Sequence, residues 1–203
     1  GNCLWSFASL KHHPGESFLR EVTQHSSYML GTFQPADVSM ILWSLATLDF
    51  YPGLAFLEGV AVRTQRIIYN FGAHELANVA FAFGQLGHHP GRVLLASIAE
   101  QVVQTAADFN PLSLSILLLS FGLLDEQPSD AMTAAVGRQA LASMATFSPL
   151  HLTNFLWAHA HLRADPGEKL LDAITQQVRA RLQEFQPAEL ANLAWSYGRL
   201  GVN

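Results

Sequence analysis

Apolar residues recur along this chain at intervals of three and four. Val38, Ile41, Leu42, Leu45 and Leu48 form one such run, and Leu171, Ile174, Val178 and Leu182 form another. That spacing lays each set along one face of a helix, so both runs predict amphipathic helices with a single buried stripe. Short segments rich in Gly and Pro separate such runs, ADPGEK at 164–169 being the clearest.

The pattern is written more than once. Phe33, Phe71, Phe109, Phe147 and Phe185 stand 38 residues apart, as do Leu10, Leu48, Leu86, Leu124, Leu162 and Leu200. All nine prolines fall into two columns of the same period: Pro14, Pro52, Pro90, Pro128 and Pro166 in one, Pro35, Pro111, Pro149 and Pro187 in the other. The four tryptophans, Trp5, Trp43, Trp157 and Trp195, share a single column. Self-similarity at a fixed period of this size is the mark of a repeat array.

Each column has a structural meaning. Pro35, Pro111, Pro149 and Pro187 precede the first kind of run, where a missing N–H is harmless and a fixed φ helps to start a helix, here called helix A. Asp37, Glu75 and Glu189 follow two positions after that column, in the first turn where an acid suits the helix dipole. Small residues recur at Ala8, Ala46, Gly84, Gly122, Ala160 and Gly198, as they do where helices approach closely. In the second kind of run, helix B, Asp165 is placed to cap, Pro166 to take the first helical position and Glu168 to supply a capping-box acid. The buried stripe of helix B reappears upstream at Leu57, Val60 and Ile67. Each helix B ends before the next Phe column, giving units of about 14 plus 17 residues.

One hairpin of this kind cannot bury its own stripe, so neighbours must stack. The predicted fold is all-α: an α-solenoid of stacked antiparallel helical hairpins with about eleven helices, from a partial helix A at Leu4 to a last helix A ending near Leu200. The whole chain, 1–203, reads as one array with units 1–32 (partial), 33–70, 71–108, 109–146, 147–184 and 185–203 (partial).

Composition narrows the chemistry. The chain is half hydrophobic and 13% charged, which supplies a core and excludes a disordered tail. Its formal net charge of −5 argues mildly against a phosphate-driven partner. A single cysteine, Cys3, rules out an internal disulfide framework or a zinc ribbon and fits a reducing compartment. No apolar run reaches the roughly 18 to 20 residues of a membrane span. The sequence opens inside a helix without an initiator Met, as expected of a piece of a longer protein whose targeting peptide is out of view. No Ser-His-Asp spacing, P-loop or Gly-rich phosphate cradle occurs. His159 and His161, two apart on a helix, face different directions, and His88 and His89 lie in a loop. No enzyme, cofactor or metal site is expected.

FQPAELANLAWSYGRLG, from Phe185 to Gly201, and FSPLHLTNFLWAHAHLR, from Phe147, share a Phe-x-Pro skeleton with Leu, Asn and Trp at matching positions. A 38-residue helical repeat of this form resembles the octotricopeptide repeat family, best known from RNA-binding factors of green-algal organelles. FGAHELANVAFAFGQLG departs at Pro and Trp, and FNPLSLSILLLSFGLLD keeps little beyond Phe, Pro and Leu. The resemblance spans the chain in five copies and an N-terminal remnant. It extends to the helical arrays of RAP-domain, FAST-kinase-like mitochondrial proteins, although no RAP domain is present in this sequence. The resemblance implies a binder of single-stranded RNA that serves organellar mRNA stability, translation or processing, in the chloroplast ahead of the mitochondrion.

Comparing copies within the chain sorts packing columns from readout columns. Trp5, Trp43, Trp157 and Trp195, replaced by Phe81 and Leu119, are large and apolar and read as core rather than as base-stacking platforms. Asn2, Asn78, Asn154 and Asn192 share a column with Met40 and Ile116, away from the buried stripe. An amide there can bond a base or a neighbouring repeat, and both readings stand. Two columns change polar identity from copy to copy: Ser9, Thr47, Gln85, Leu123, His161 and Arg199 late in helix A, and Asp37, Glu75, Ser113, His151 and Glu189 near its start. Helical RNA-binding repeats read roughly one base per repeat with two or three side chains, so these columns hold the candidate contacts. The basic residues complicate this reading. Arg20, Arg63, Arg66, Arg92, Arg138, Lys169, Arg179 and Arg181 belong to helices B, and Arg199 alone lies within a helix A. A protein-protein scaffold is the alternative that this distribution suggests.

Overall fold

The computed structural model describes residues 2–201; Gly1, Val202 and Asn203 of the array lie outside the described residues. Six helices A alternate with five helices B: α1 (Asn2–Ser9), α2 (Glu16–Met29), α3 (Pro35–Thr47), α4 (Leu54–Arg66), α5 (Ala73–Gln85), α6 (Arg92–Thr105), α7 (Pro111–Leu123), α8 (Asp130–Ser143), α9 (Pro149–Leu162), α10 (Glu168–Ala180) and α11 (Pro187–Leu200). No strand occurs among the described residues. Each helix packs on its counterparts in the adjoining repeats, so the molecule is an α-solenoid built from the predicted hairpins.

Helices A form the tighter layer. Consecutive members α1, α3, α5, α7, α9 and α11 pack along their lengths, whereas consecutive helices B touch more sparsely. Small side chains permit this. Ser44, Ser120 and Ser196, one per alternate repeat, are fully buried, and each hydroxyl donates to the carbonyl four residues back rather than to water. A Cβ on Gly84 would stand 3.1 Å from the Cβ of Leu123 in the next helix A, and one on Gly122 would meet the Trp157 ring at 2.9 Å. The predicted column of small residues is therefore where successive helices A close on one another.

The stripe of α3 is buried as expected, with Val38, Ile41, Leu42, Leu45 and Leu48 all in the core. In α10 the buried set is Leu170, Ile174 and Val178, while Leu171 is half-buried and Leu182 is exposed. The difference comes from the helix end. α10 stops at Ala180, and Leu182 begins a turn of 3-10 helix over 182–184, which rotates its side chain out of the stripe. The same tight turn closes α2, α4, α6 and α8 just before each Phe column.

The start of helix B differs from the sequence expectation. Pro166 is not the first helical residue: α10 begins at Glu168, with Gly167 as N-cap at φ 81° and ψ 149°. Asp165 does not cap the helix; its Oδ1 accepts a hydrogen bond from the Gly167 backbone N–H at 2.8 Å. His13 and His89 accept from Gly15 and Gly91 in the same way, each at 3.1 Å. A residue–Pro–Gly turn thus precedes the helix, and its positive φ is what puts glycine after proline at Gly15, Gly53, Gly91 and Gly167. Repeat 109–146 is the exception, with Ser129 at φ −62° capping α8 through its hydroxyl.

Two arginines at the C-terminal ends of helices B are struts of the array. Arg63 donates through Nε (2.8 Å) and Nη2 (2.6 Å) to the Phe33 carbonyl, and Arg181 donates through Nη1 (2.6 Å) to the Phe147 carbonyl. Gln139 serves the Phe109 carbonyl at 3.1 Å. These bonds satisfy the carbonyl groups of the A-helix entry, which would otherwise be left without partners.

Candidate functional site

On a helix, positions i, i+4, i+7 and i+11 share one face. In α3 the face opposite the buried stripe carries Ala36, Met40, Trp43 and Thr47. The equivalent rows are His74, Asn78, Phe81 and Gln85 in α5; Leu112, Ile116, Leu119 and Leu123 in α7; Leu150, Asn154, Trp157 and His161 in α9; and Ala188, Asn192, Trp195 and Arg199 in α11. In α1 the row is reduced to Asn2, Trp5 and Ser9. Side by side, the rows make the open face of the A layer.

The tryptophans belong to that open face and not to the core, which corrects the sequence reading. Trp5 is 49% and Trp195 45% exposed, and Trp43 and Trp157 are half-buried, as are Phe81 and Leu119. Their large apolar character suggested core, but the interior of α3 and α9 is filled by other columns, such as Leu42, Leu45, Leu152 and Phe155. The sequence held the signal: Trp follows the Asn column by three and precedes the late variable column by four, so all three columns must share one face.

A groove of about 590 Å³ runs across four of these rows, from α1 to α7. Its walls are the aromatic column (Trp5, Trp43, Phe81), the amide column (Met40, Asn78, Ile116), the first-turn residues Ala36, His74 and Leu112, and Ser9, Ser39 and Glu75. Asn78 Nδ2 lies 3.0 Å from Nε2 of His74 in its own helix, so this amide is held by its own row and not by a neighbouring repeat. At the other end of the face the aromatics form a strip. The Trp157 and His161 rings stack with centroids 4.7 Å apart, Trp157 and Trp195 stand 6.4 Å apart with planes inclined by 27°, and the Arg199 guanidinium lies 5.9 Å from the Trp195 centroid.

Of the two variable columns, the late one is open to solvent. Thr47, Gln85 and Arg199 are exposed, and half-buried His161 sits 4.0 Å from the exposed carboxylate of Asp125. The early column is occupied with helix capping. Asp37 accepts from the Gln34 N–H at 3.0 Å, Glu189 from Gln186 at 2.7 Å and His151 Nδ1 from Ser148 at 3.2 Å. Glu75 turns toward its N-cap Gly72 and also borders the groove. Asn154 is half-buried and Asn192 exposed, each three residues before its tryptophan. Sequence reasoning missed the first-turn residues Ala36, His74, Leu112, Leu150 and Ala188. They vary less than the chosen columns, and their variation is largely between apolar types, which does not announce a polar contact.

The face is poor in positive charge. Arg199 is the one Lys or Arg within any helix A, and Arg92 lies across the loops 3.6 Å from Glu126. His159, two residues before His161, is buried and points away from the groove face. This architecture makes the chain an α-solenoid repeat protein with one open row per repeat, aromatic and polar in every helix A but α7. No protein-family model matches the sequence, and no curated protein matches it significantly.

Proposed function

We propose that this array is a non-catalytic binder of single-stranded RNA, acting by occupancy in organellar gene expression: it covers a short stretch of transcript and excludes nucleases or competing structure. The observation that carries the reading is the repeated row, in which a nearly constant aromatic side chain stands beside polar side chains that change from repeat to repeat. A polymer whose units share a π-face and differ at their edges is the ligand that such a surface matches. The resemblance to octotricopeptide repeats supports the same ligand and supplies the organellar setting.

A protein-protein scaffold is the second reading, favoured by the cation-poor groove bordered by Glu75. Filter retention of a random-sequence single-stranded RNA separates the two. The RNA reading expects retention at about 50 mM salt that weakens toward 200 mM, with duplex RNA retained poorly. Failure to retain any single strand at the lower salt refutes it and leaves the scaffold reading.

A further inference from the structure

Resting on the RNA reading, the row geometry goes further than a general affinity for single strands. We propose that the aromatic third residue of each row is a stacking platform for one base whose edges meet the second and fourth residues, and that the α7 row is mute, so the array reads a split site.

Three observations carry this. First, the platform and its neighbour one turn on are in contact where the array is most aromatic: Trp157 stacks with His161, and Arg199 lies over Trp195. The imidazole and the guanidinium lie over the indole faces, so a base that stacks on either ring takes that place and leaves the displaced group at its edge, with the Asn154 or Asn192 amide three residues back on the same face. Second, the platforms are seated rather than loose. Trp157 rests against Gly122 of the preceding helix A so closely that a Cβ there would intrude on its ring. Third, the α7 row is Leu112, Ile116, Leu119 and Leu123, with no aromatic ring and no hydrogen-bonding side chain, although Leu112 and Leu123 are exposed. The repeat folds and packs like the others, so only its open face has lost the reading groups.

With roughly one base per repeat, α1, α3 and α5 select three bases, α7 passes over one, and α9 and α11 select two. Because Arg199 is the single cation in the rows, stacking supplies more of the affinity than phosphate contact does, and the salt dependence is shallow for a nucleic-acid binder.

The test is in-vitro selection from a randomised single-stranded RNA library with the 203-residue chain, followed by titration of the winning sequence against Trp157→Leu and Trp157→Phe. Leucine occupies the same column in α7, so the fold accepts it, and thermal unfolding of each variant checks this. Expected are a motif with one unselected position inside it, binding about tenfold weaker for Trp157→Leu, and near-parental binding for Trp157→Phe. Selection with Trp157→Leu should also lose information at one further position. A contiguous motif, or equal affinity of a folded Trp157→Leu, overturns the proposal while leaving RNA binding intact. No enrichment, with no retention of single strands at low salt, overturns the RNA reading and this one with it.

Discussion

His159 occupies a column that carries Phe7, Leu45, Phe83, Phe121 and Tyr197 in the other repeats. It is 4% exposed, its Nδ1 lies 3.3 Å from the Ala164 carbonyl oxygen, and burial pushes its pKa down to about 4 from the ordinary 6.5. The unfolded chain takes up a proton near 6.5, and the folded chain does not until about 4, so acid favours unfolding across that window. The contribution is complete above pH 6.5 and falls by about 3 kcal/mol as the pH drops to 4, at 1.36 kcal/mol per unit. His159→Phe restores the aromatic of the column and should flatten the loss. Burial also lowers the pKa of His88 and His151, which keep a residual slope of the same sign. Urea unfolding at pH 7 and pH 5 measures the difference; equal slopes in variant and parent would sink the assignment. The same scale explains the tryptophans: Trp43 and Trp157 pack one side against the core and leave the other open, while Trp5 and Trp195, on the terminal helices, are exposed.

At the scale of the element, each hairpin depends on two turns with opposite demands. After helix A, the chain turns through a left-handed residue at Lys11, Asp49, Gly87, Asp125, Arg163 and Gly201, another column of period 38. Non-glycine residues are tolerated there at a modest cost. Before helix B, Gly15, Gly53, Gly91 and Gly167 adopt φ between 81° and 99° with extended ψ, a region that essentially only glycine enters. A Cβ on Gly91 would meet nothing within 4 Å, so Gly91→Ala isolates the backbone effect. It should destabilise by about 1–3 kcal/mol. Gly31→Ala, equally unobstructed but within a 3-10 turn, should be neutral or stabilise by about 0.4–1 kcal/mol. Chemical denaturation of the two variants tests the contrast, and similar effects would mean that steric crowding, not φ, governs the site.

For the whole molecule, stability is a chain of nearest-neighbour interfaces. α7 is flanked by α5 and α9 and buries eight residues; α11 is flanked by α9 alone and buries Leu193 and Ser196. Amide hydrogen exchange should therefore protect α3 to α9 most and α1 and α11 least. Uniform protection along the chain would contradict stacking of semi-independent repeats. The same one-dimensional order lets the open face vary: the α7 row is wholly aliphatic, yet α7 packs on α5 and α9 as the other helices A pack on their neighbours.

By itself the sequence determined the helices, their number, the period of the array and the close approach at the small-residue column. Each of these follows from local spacing repeated six times, and one helix with an unpaired stripe forces the next to stack on it. It also contained the shared face of the Asn, Trp and late variable columns, since that is arithmetic on a helix. What only the tertiary structure decided is which faces stay uncovered. Trp157 and Phe155 are both large and apolar in the same helix, and one is half-buried while the other is buried, because α7 and α11 flank α9 and Trp157 lies on the open face that no other helix covers among the described residues. The early acids Asp37 and Glu189 show the same limit from the other direction. Their variation suggested readout, yet their carboxylates are held by backbone N–H groups three residues back. Whether a polar side chain is free depends on the partner it finds in space, and spacing along the chain does not encode that partner.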